Sequence, residues 1–259
     1  MHIQALPAFT DNLIWMIEDA DCLWWVDPGD ASVVIAAAAQ TSARPTGLWL
    51  THHHADHCAG VAELLARWPQ LQIIGPNDAR MPWVQQKVGD GDRVEISAHS
   101  SMRVIATPGH TRSHHAYLLT NALQDHLFCG DALFSAGCGR LFEGDGADLL
   151  LSMRRLRSLH DATLVYAAHE YTAANLAFAR HLLPEDAAIA AYSDFVTSRR
   201  KCDQWTIPSS IVREKSINVF FRWDDPAIYR ALCDRHHDLA DTACTILAQL
   251  RQDKDAFRA

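Results

Sequence analysis

Four short apolar runs of this chain each end, within a few residues, in a histidine or an aspartate. "GLWLT" at 47–51 opens into "HHHADH", "RVIATPGH" reaches His110, "HLFCGD" reaches Asp131 and "LVYAAHE" reaches His169. Runs rich in Leu, Trp, Val, Ile and Phe favour strands, and polar residues just past a strand end sit on loops that a rigid sheet holds in place. One such ending is ordinary. Four of them are an improbable accident, and they bring metal-ligating side chains from distant parts of the chain to strand ends.

The densest stretch, "THHHADHCAG" at 51–60, reads H-x-H-x-D-H as His52, His54, Asp56 and His57. With His110, Asp131 and His169 the set holds five imidazoles and two carboxylates and no thiolate. Nitrogen-rich sets suit zinc or another first-row metal, whereas calcium or magnesium wants mostly oxygen. Seven protein ligands exceed what one tetrahedral ion takes, so two ions sharing one carboxylate and a water or hydroxide fit better. Any one of these residues alone, His169 for example, reads more simply as a surface imidazole; the set argues for metal. His53 is expected to point away from the ligands, and His114 and His115 to support them from behind. Cys58, directly after His57, is expected to be a bystander.

The chain of 259 residues is long enough for one large domain or two unequal ones. Its formal net charge of −8 argues against nucleic-acid or anionic-membrane binding. No run approaches the roughly 20 apolar residues of a membrane span, and "MHIQALPAFTDN" lacks a basic segment followed by an apolar one. A cytoplasmic protein is the expectation. The seven cysteines (22, 58, 129, 138, 202, 233, 244) lack C-x-x-C spacing and read as reduced thiols.

Strands are expected at 13–17, 22–26, 47–50, 72–74, 103–106, 116–119, 126–129 and 164–167, separated by turn segments such as "DPGD" at 27–30 and "NDAR" at 77–80. Helical patterns lie at 32–41, 59–68 and 147–159. Past residue 170 helices dominate: "TAANLAFARHLL", "EDAAIAAYSDFVTSRRKC" and "DLADTACTILAQLRQD". The pattern predicts an α/β domain over 1–168 and a smaller all-helical domain over 169–259.

These residues resemble the metallo-β-lactamase superfamily, through H-x-H-x-D-H, "TPGH" with His110, "GD" with Asp131 and the late His169. The resemblance implies an αββα sandwich, and Asp27 in "VDPGD" matches a supporting aspartate of that superfamily. Flanking segments resemble the glyoxalase II (hydroxyacylglutathione hydrolase) branch: "CGDALFSAGCGRLFEG" at 129–144, "AHEYT" at 168–172 and "REKSINVFFR" at 213–222, in order over nearly the whole chain. Carried over, His52, His54 and His110 hold one metal, Asp56, His57 and His169 the other, and Asp131 bridges; the ions are zinc, iron or manganese. Asp56 and Asp131 are then also the catalytic carboxylates.

The same resemblance implies a monomeric hydrolase that cleaves the thioester of an S-2-hydroxyacylglutathione, such as S-D-lactoylglutathione, by a metal-bound hydroxide, the second step of methylglyoxal detoxification. The substrate contacts expected are Arg140, Phe142, Tyr171, Arg213 and Lys215, since glutathione carries two carboxylates. The chain departs from the family pattern at Ser113, Ala168, Arg140 and Phe142, the last lacking a hydroxyl. Other readings are a lactonase or lactamase of the same superfamily, a mononuclear-iron persulfide dioxygenase, and a zinc-stabilised binding module, which would need a closed four-ligand site.

Overall fold

A computed structural model of the protein describes residues 1–258; Ala259, the last residue of the expected helical domain, lies outside the described residues. The chain forms two compact units. One comprises Met1–Ala106 and Ser113–Gly130, the other Thr107–Arg112 and the chain from Asp131 onward.

The first unit begins with β1 (His2–Ala8), β2 (Asn12–Asp19) and β3 (Cys22–Val26), followed by α1 (Ala31–Ala38), β4 (Arg44–Trp49), α2 (Ala55–Cys58), α3 (Val61–Arg67), β5 (Gln72–Pro76) and β6 (Gln86–Val88). These strands form a six-stranded sheet in the order β1 to β6. β1, β2 and β3 pair antiparallel, and β3 to β6 pair parallel. Then β7 (Arg93–Ser97), β8 (Ser100–Ala106), β9 (His115–Asn121) and β10 (Asp125–Gly130) run antiparallel, each beside the next.

Adjacent tryptophans show how the first sheet is buried on both sides. Trp24 of β3 lies 5.8 Å from Trp49 of β4, which in turn meets Tyr117 of β9 at 6.0 Å and Phe128 of β10 at 5.8 Å between ring centroids. Trp25, on the opposite face, stacks on Trp68 at 5.9 Å and joins Leu48, Leu50 and Ile73 against Val34 of α1 and Leu64 of α3. Central strands covered on both faces read as continuous apolar runs rather than alternation, which is why "CLWWV" and "GLWL" carry so few polar residues. Strand β1 is absent from the sequence expectation: Pro7 argues against a strand, yet at a sheet edge the missing N–H costs no ladder bond.

The second unit carries a two-stranded hairpin, β11 (Leu133–Phe134) with β12 (Gly137–Cys138), then α4 (Gly146–Arg157) and β13 (Leu164–Ala167). Next come α5 (Thr172–Leu182), α6 (Ala187–Arg200), the short β14 (Ser209–Ser210) pairing with β13, α7 (Ile211–Ile217), α8 (Pro226–Cys233) and α9 (Ala243–Ala256). Past residue 170 the chain is helical as expected, apart from β14. Helix α4 starts in a capping box between Asp145 and Asp148 and approaches α9 so closely that a Cβ on Gly146 would lie 2.8 Å from Cys244 O. Arg199 and Arg200 occupy the last turn of α6, where cations suit the helix dipole. No helix among the described residues is long and apolar enough to cross a membrane, and the seven cysteines are free thiols.

Candidate metal centre

The first unit delivers the histidine stretch directly past β4. His52 is fully buried and its Nε2 lies 3.1 Å from His54 Nδ1, two ring nitrogens aimed at one point. His57 follows on α2, with Nε2 3.3 Å from Asp56 Oδ2, and Asn12 Nδ2 donates to that same carboxylate oxygen at 3.0 Å.

Asp27 organises this group from behind. Past the end of β3 it takes a left-handed backbone conformation (φ 55), and its carboxylate accepts from Thr51 N at 2.7 Å and Thr51 Oγ1 at 2.6 Å. Its Oδ2 also lies 3.0 Å from His57 Nδ1. A carboxylate only accepts, so Nδ1 carries the proton and Nε2 is left with the lone pair that a metal takes. Thr51 Oγ1 continues the relay to His52 Nδ1 at 2.9 Å. Asp27, His52 and His57 bring one ligand-type atom each within 4.8 Å of the others, but Asp27 already has both oxygens engaged in the relay.

His53 takes a different direction, its Nδ1 lying 3.9 Å from Asp78 Oδ2, as expected of a residue outside the ligand set. Asp78 also receives Ser113 Oγ at 2.6 Å and Arg80 Nη2 at 2.7 Å, and the Arg80 guanidinium holds its carboxyl well below the usual carboxylate range. The Ser113 hydroxyl, one of the departures from the family pattern, therefore has a structural partner. His114 is fully buried with its ring 4.9 Å from that of His52, while burial drops His115 to about 4 and keeps it neutral. Cys58 donates from Sγ to His53 O and His54 O, and burial, with Asp27 adding to it, pushes its thiol up to about 11. It braces the loop as a protonated thiol.

The second unit assembles the remaining three. Asp131 Oδ2 lies 3.3 Å from His110 Nε2 and Asp131 Oδ1 lies 3.4 Å from His169 Nε2, so each carboxylate oxygen faces one imidazole. His110 Nδ1 donates to Arg140 O at 2.9 Å, which again turns Nε2 toward the carboxylate. Tyr171 stacks on His169, with ring centroids 4.8 Å apart and planes 6° from parallel, and Phe134 meets both rings edge-on. Imidazoles with fixed tautomers beside carboxylates make a donor set suited to a divalent metal.

A cavity of about 420 Å³ opens beside His110 and Asp131. Arg140, Arg251, Lys254 and Arg258 line it together with Asp255, which pairs with Arg140 at 3.3 Å and Arg251 at 3.1 Å, and Phe134, Phe142 and Tyr171 add aromatic rings. Arg251 is nearly buried, bonding Cys138 O at 2.6 Å and Asp255 Oδ1 at 3.1 Å. Burial, and next to it the Arg251 charge, lower Lys254 to about 8. Phe142 is 62% exposed at the mouth, its ring edge-on to His110 at 5.2 Å, so it offers the cavity a ring face where a tyrosine would add a hydroxyl.

Of the substrate contacts expected from the sequence, Arg140, Phe142 and Tyr171 line this cavity. Arg213 and Lys215 do not: the Arg213 guanidinium lies 4.8 Å over the Tyr192 ring, and Lys215 Nζ is 2.6 Å from Asp161 Oδ1. Three further cations that line it, Arg251, Lys254 and Arg258, went unmarked in the sequence. Their spacing of three and four residues along α9 and its end is a signal of one helix face.

Two family profiles divide the chain between them. One, described as the metallo-beta-lactamase superfamily, matches residues 12–169; the other, described as the hydroxyacylglutathione hydrolase C-terminus, matches residues 170–257. A hydroxyacylglutathione hydrolase from Xanthomonas axonopodis pv. citri (strain 306) is 44% identical over 260 residues, covering 100% of each chain. Among solved structures, ETHE1 from Myxococcus xanthus superposes with a TM-score of 0.65 at 24% identity over 99% of both chains. TTHA1623, solved in a di-iron-bound form, gives a TM-score of 0.52 at 26% identity, over 65% of this chain and 92% of its own.

Proposed function

The chain belongs to the hydroxyacylglutathione hydrolase family, built on the metallo-beta-lactamase fold with a helical C-terminal part, and from that premise we propose how it hydrolyses the thioester of an S-2-hydroxyacylglutathione such as S-D-lactoylglutathione. The products are glutathione and the 2-hydroxy acid, D-lactate in that case. The observation that carries this reading is one cavity lined both by His110 and Asp131 and by the cations Arg140, Arg251, Lys254 and Arg258, which outnumber its lining carboxylates, Asp131 and Asp255. A tripeptide with two carboxylates needs such cations, and its thioester needs the donor set.

We assign His52, His54 and His110 to one metal ion, Asp56, His57 and His169 to a second, and Asp131 to both. The di-iron form of TTHA1623 supports a count of two for a chain carrying this donor set; zinc, iron and manganese all accept these ligands. When bound, the ions supply a water of lowered pKa and a Lewis acid for the carbonyl oxygen. The protein's own groups do the rest. Asp27, through His57 and Thr51, holds the imidazole nitrogens in register. Asp56, fixed by Asn12, orients the attacking water, and Arg251, Lys254 and Arg140 hold the carboxylates of the glutathione arm.

In the reaction the water oxygen bonds to the thioester carbon and gives up a proton to solvent, while the C–S bond breaks and the electron pair leaves on sulfur as the glutathione thiolate. A thiolate whose conjugate acid has a pKa of about 8.5 leaves without help from a general acid. In this reading residues 1–168 together with His169 carry the chemistry, the helical part beyond contributes substrate contacts, and the protein works as a monomer in the cytoplasm.

A substrate panel tests the assignment. The metal-loaded protein is offered S-D-lactoylglutathione, a homoserine lactone and a β-lactam under one set of conditions. Thioester cleavage with neither ring opened is the expected result, and ring opening without thioester cleavage contradicts it.

A further inference from the structure

Between Arg213 and Lys215, the two cations that do not reach the cavity, stands Glu214, a carboxylate with no solvent exposure. It accepts from Ser135 Oγ at 3.0 Å, Ala136 N at 2.8 Å, Asn218 Nδ2 at 3.0 Å and Ser209 Oγ. None of these donors is a cation. A buried carboxylate without a counter-charge is costly unless its oxygens are fully bonded, and burial does push the Glu214 carboxyl above its ordinary value. An apolar side chain would fill the volume at lower cost, so the informative point is what the four bonds hold.

They hold one turn. Ser135 and Ala136 connect β11 to β12, and Ala136 is a non-glycine residue in the left-handed region (φ 58), a conformation that L-residues with a Cβ adopt only under constraint. Asn218, one helical turn beyond Glu214, also donates to Phe134 O at 3.2 Å and Gly137 O at 3.0 Å, and Asn175 Nδ2 donates to Ser135 O at 3.0 Å. Every residue from 134 to 137 is thus tied to a buried polar side chain.

What flanks the turn gives this bracing a functional meaning. Asp131 lies three residues before Phe134. Past the turn, Cys138 O accepts from Arg251, and Arg140 O accepts from His110. One braced hairpin therefore connects Asp131 to Arg251, and both line the cavity.

We infer that Glu214 is a positioning residue for substrate binding: by fixing the 134–137 turn it sets the spacing between Asp131 with His110 and the Arg251 wall that receives the glutathione arm. The inference rests on the glutathione-thioester reading. It also gives the "REKSINVFFR" segment a task that its exposed cations do not perform.

Glu214→Gln tests it, since the amide keeps the shape but sets an N–H where the carboxylate accepts. Binding of S-methylglutathione, which has no thioester to cleave, is followed by calorimetry alongside steady-state hydrolysis of S-D-lactoylglutathione and metal content. The expected result is a rise of about ten-fold in both Kd and KM, the scale of one hydrogen bond to a charged group, with kcat changed by less than about two-fold and metal content unchanged. A lowered melting temperature with Kd and KM at their wild-type values makes Glu214 a structural residue only and overturns the inference. So does a loss of bound metal accompanied by a fall in kcat. A wild-type protein that binds S-methylglutathione but leaves the thioester intact refutes the catalytic reading, and the Kd comparison still decides the role of Glu214. If Glu214→Gln does not fold, Ser135→Ala removes one donor and leaves the carboxylate in place; the same constants must then rise, and their constancy overturns the proposal.

Discussion

At the scale of single residues, two side chains carry the most pointed expectations. Asp27 contacts no position assigned to substrate, yet it fixes the His57 tautomer and, through Thr51, the His52 ring. Asp27→Asn keeps the shape and loses the charge facing Nδ1, so metal affinity should fall by about 10- to 100-fold, the usual effect of removing such a support. Competition with a chromophoric chelator measures this, and unchanged affinity would assign Asp27 to folding alone. Lys254 makes the second expectation. Its ammonium is lowered to about 8 by burial, so it is cationic below that pH and neutral above it. The carboxylates of the substrate should be held less well as pH rises through about 8, giving an increase in KM that Lys254→Met abolishes by removing the titrating group. A KM profile identical in the two proteins would place the carboxylates elsewhere.

At the scale of elements, the cavity wall from 131 to 140 is the segment most sensitive to change. A Cβ on Gly139 would stand 2.0 Å from Asp131 O and 3.1 Å from His110 Nδ1, so Gly139→Ala must displace backbone that carries two assigned ligands. A displacement near 1 Å is enough to cost on the order of 100-fold in kcat/KM; activity within a few-fold of wild type would show that the wall tolerates movement. The histidine and aspartate loops were legible in the sequence because they follow strands that end in apolar residues, as with β4 before His52 and β10 before Asp131, both buried over their last residues. The cation wall was not legible in the same way. Arg251, Lys254 and Arg258 lie more than a hundred residues along the chain from the hairpin, and only the packing of helices in the second unit brings them into one cavity lining with Cys138 and Arg140. Glu214 escaped for a related reason: in a helix of seven residues flanked by Arg213 and Lys215, charge suggests an exposed face, while the backbone turns Glu214 and Asn218 inward. Strand β1 escaped because Pro7 is compatible only with an edge, and edges cannot be recognised before the sheet is known.

At the scale of the whole molecule, the seven expected ligands divide between the two compact units, four in the first and three in the second. Each unit orients its own imidazoles through its own acceptors, Asp27 in one and Arg140 O in the other. Each group alone resembles an ordinary buried polar cluster; the proposed function makes them one reaction centre, with the substrate's glutathione arm held by the second unit. The most direct measurement of that claim is the release of free thiol from S-D-lactoylglutathione by the full chain, before chelation, after it, and after zinc, iron or manganese is returned. The expected result is one thiol and one D-lactate per thioester consumed, loss of both on chelation, and recovery with two metal ions bound per chain. Thiol release that persists in the fully chelated protein, or full recovery with a single ion per chain, would contradict it.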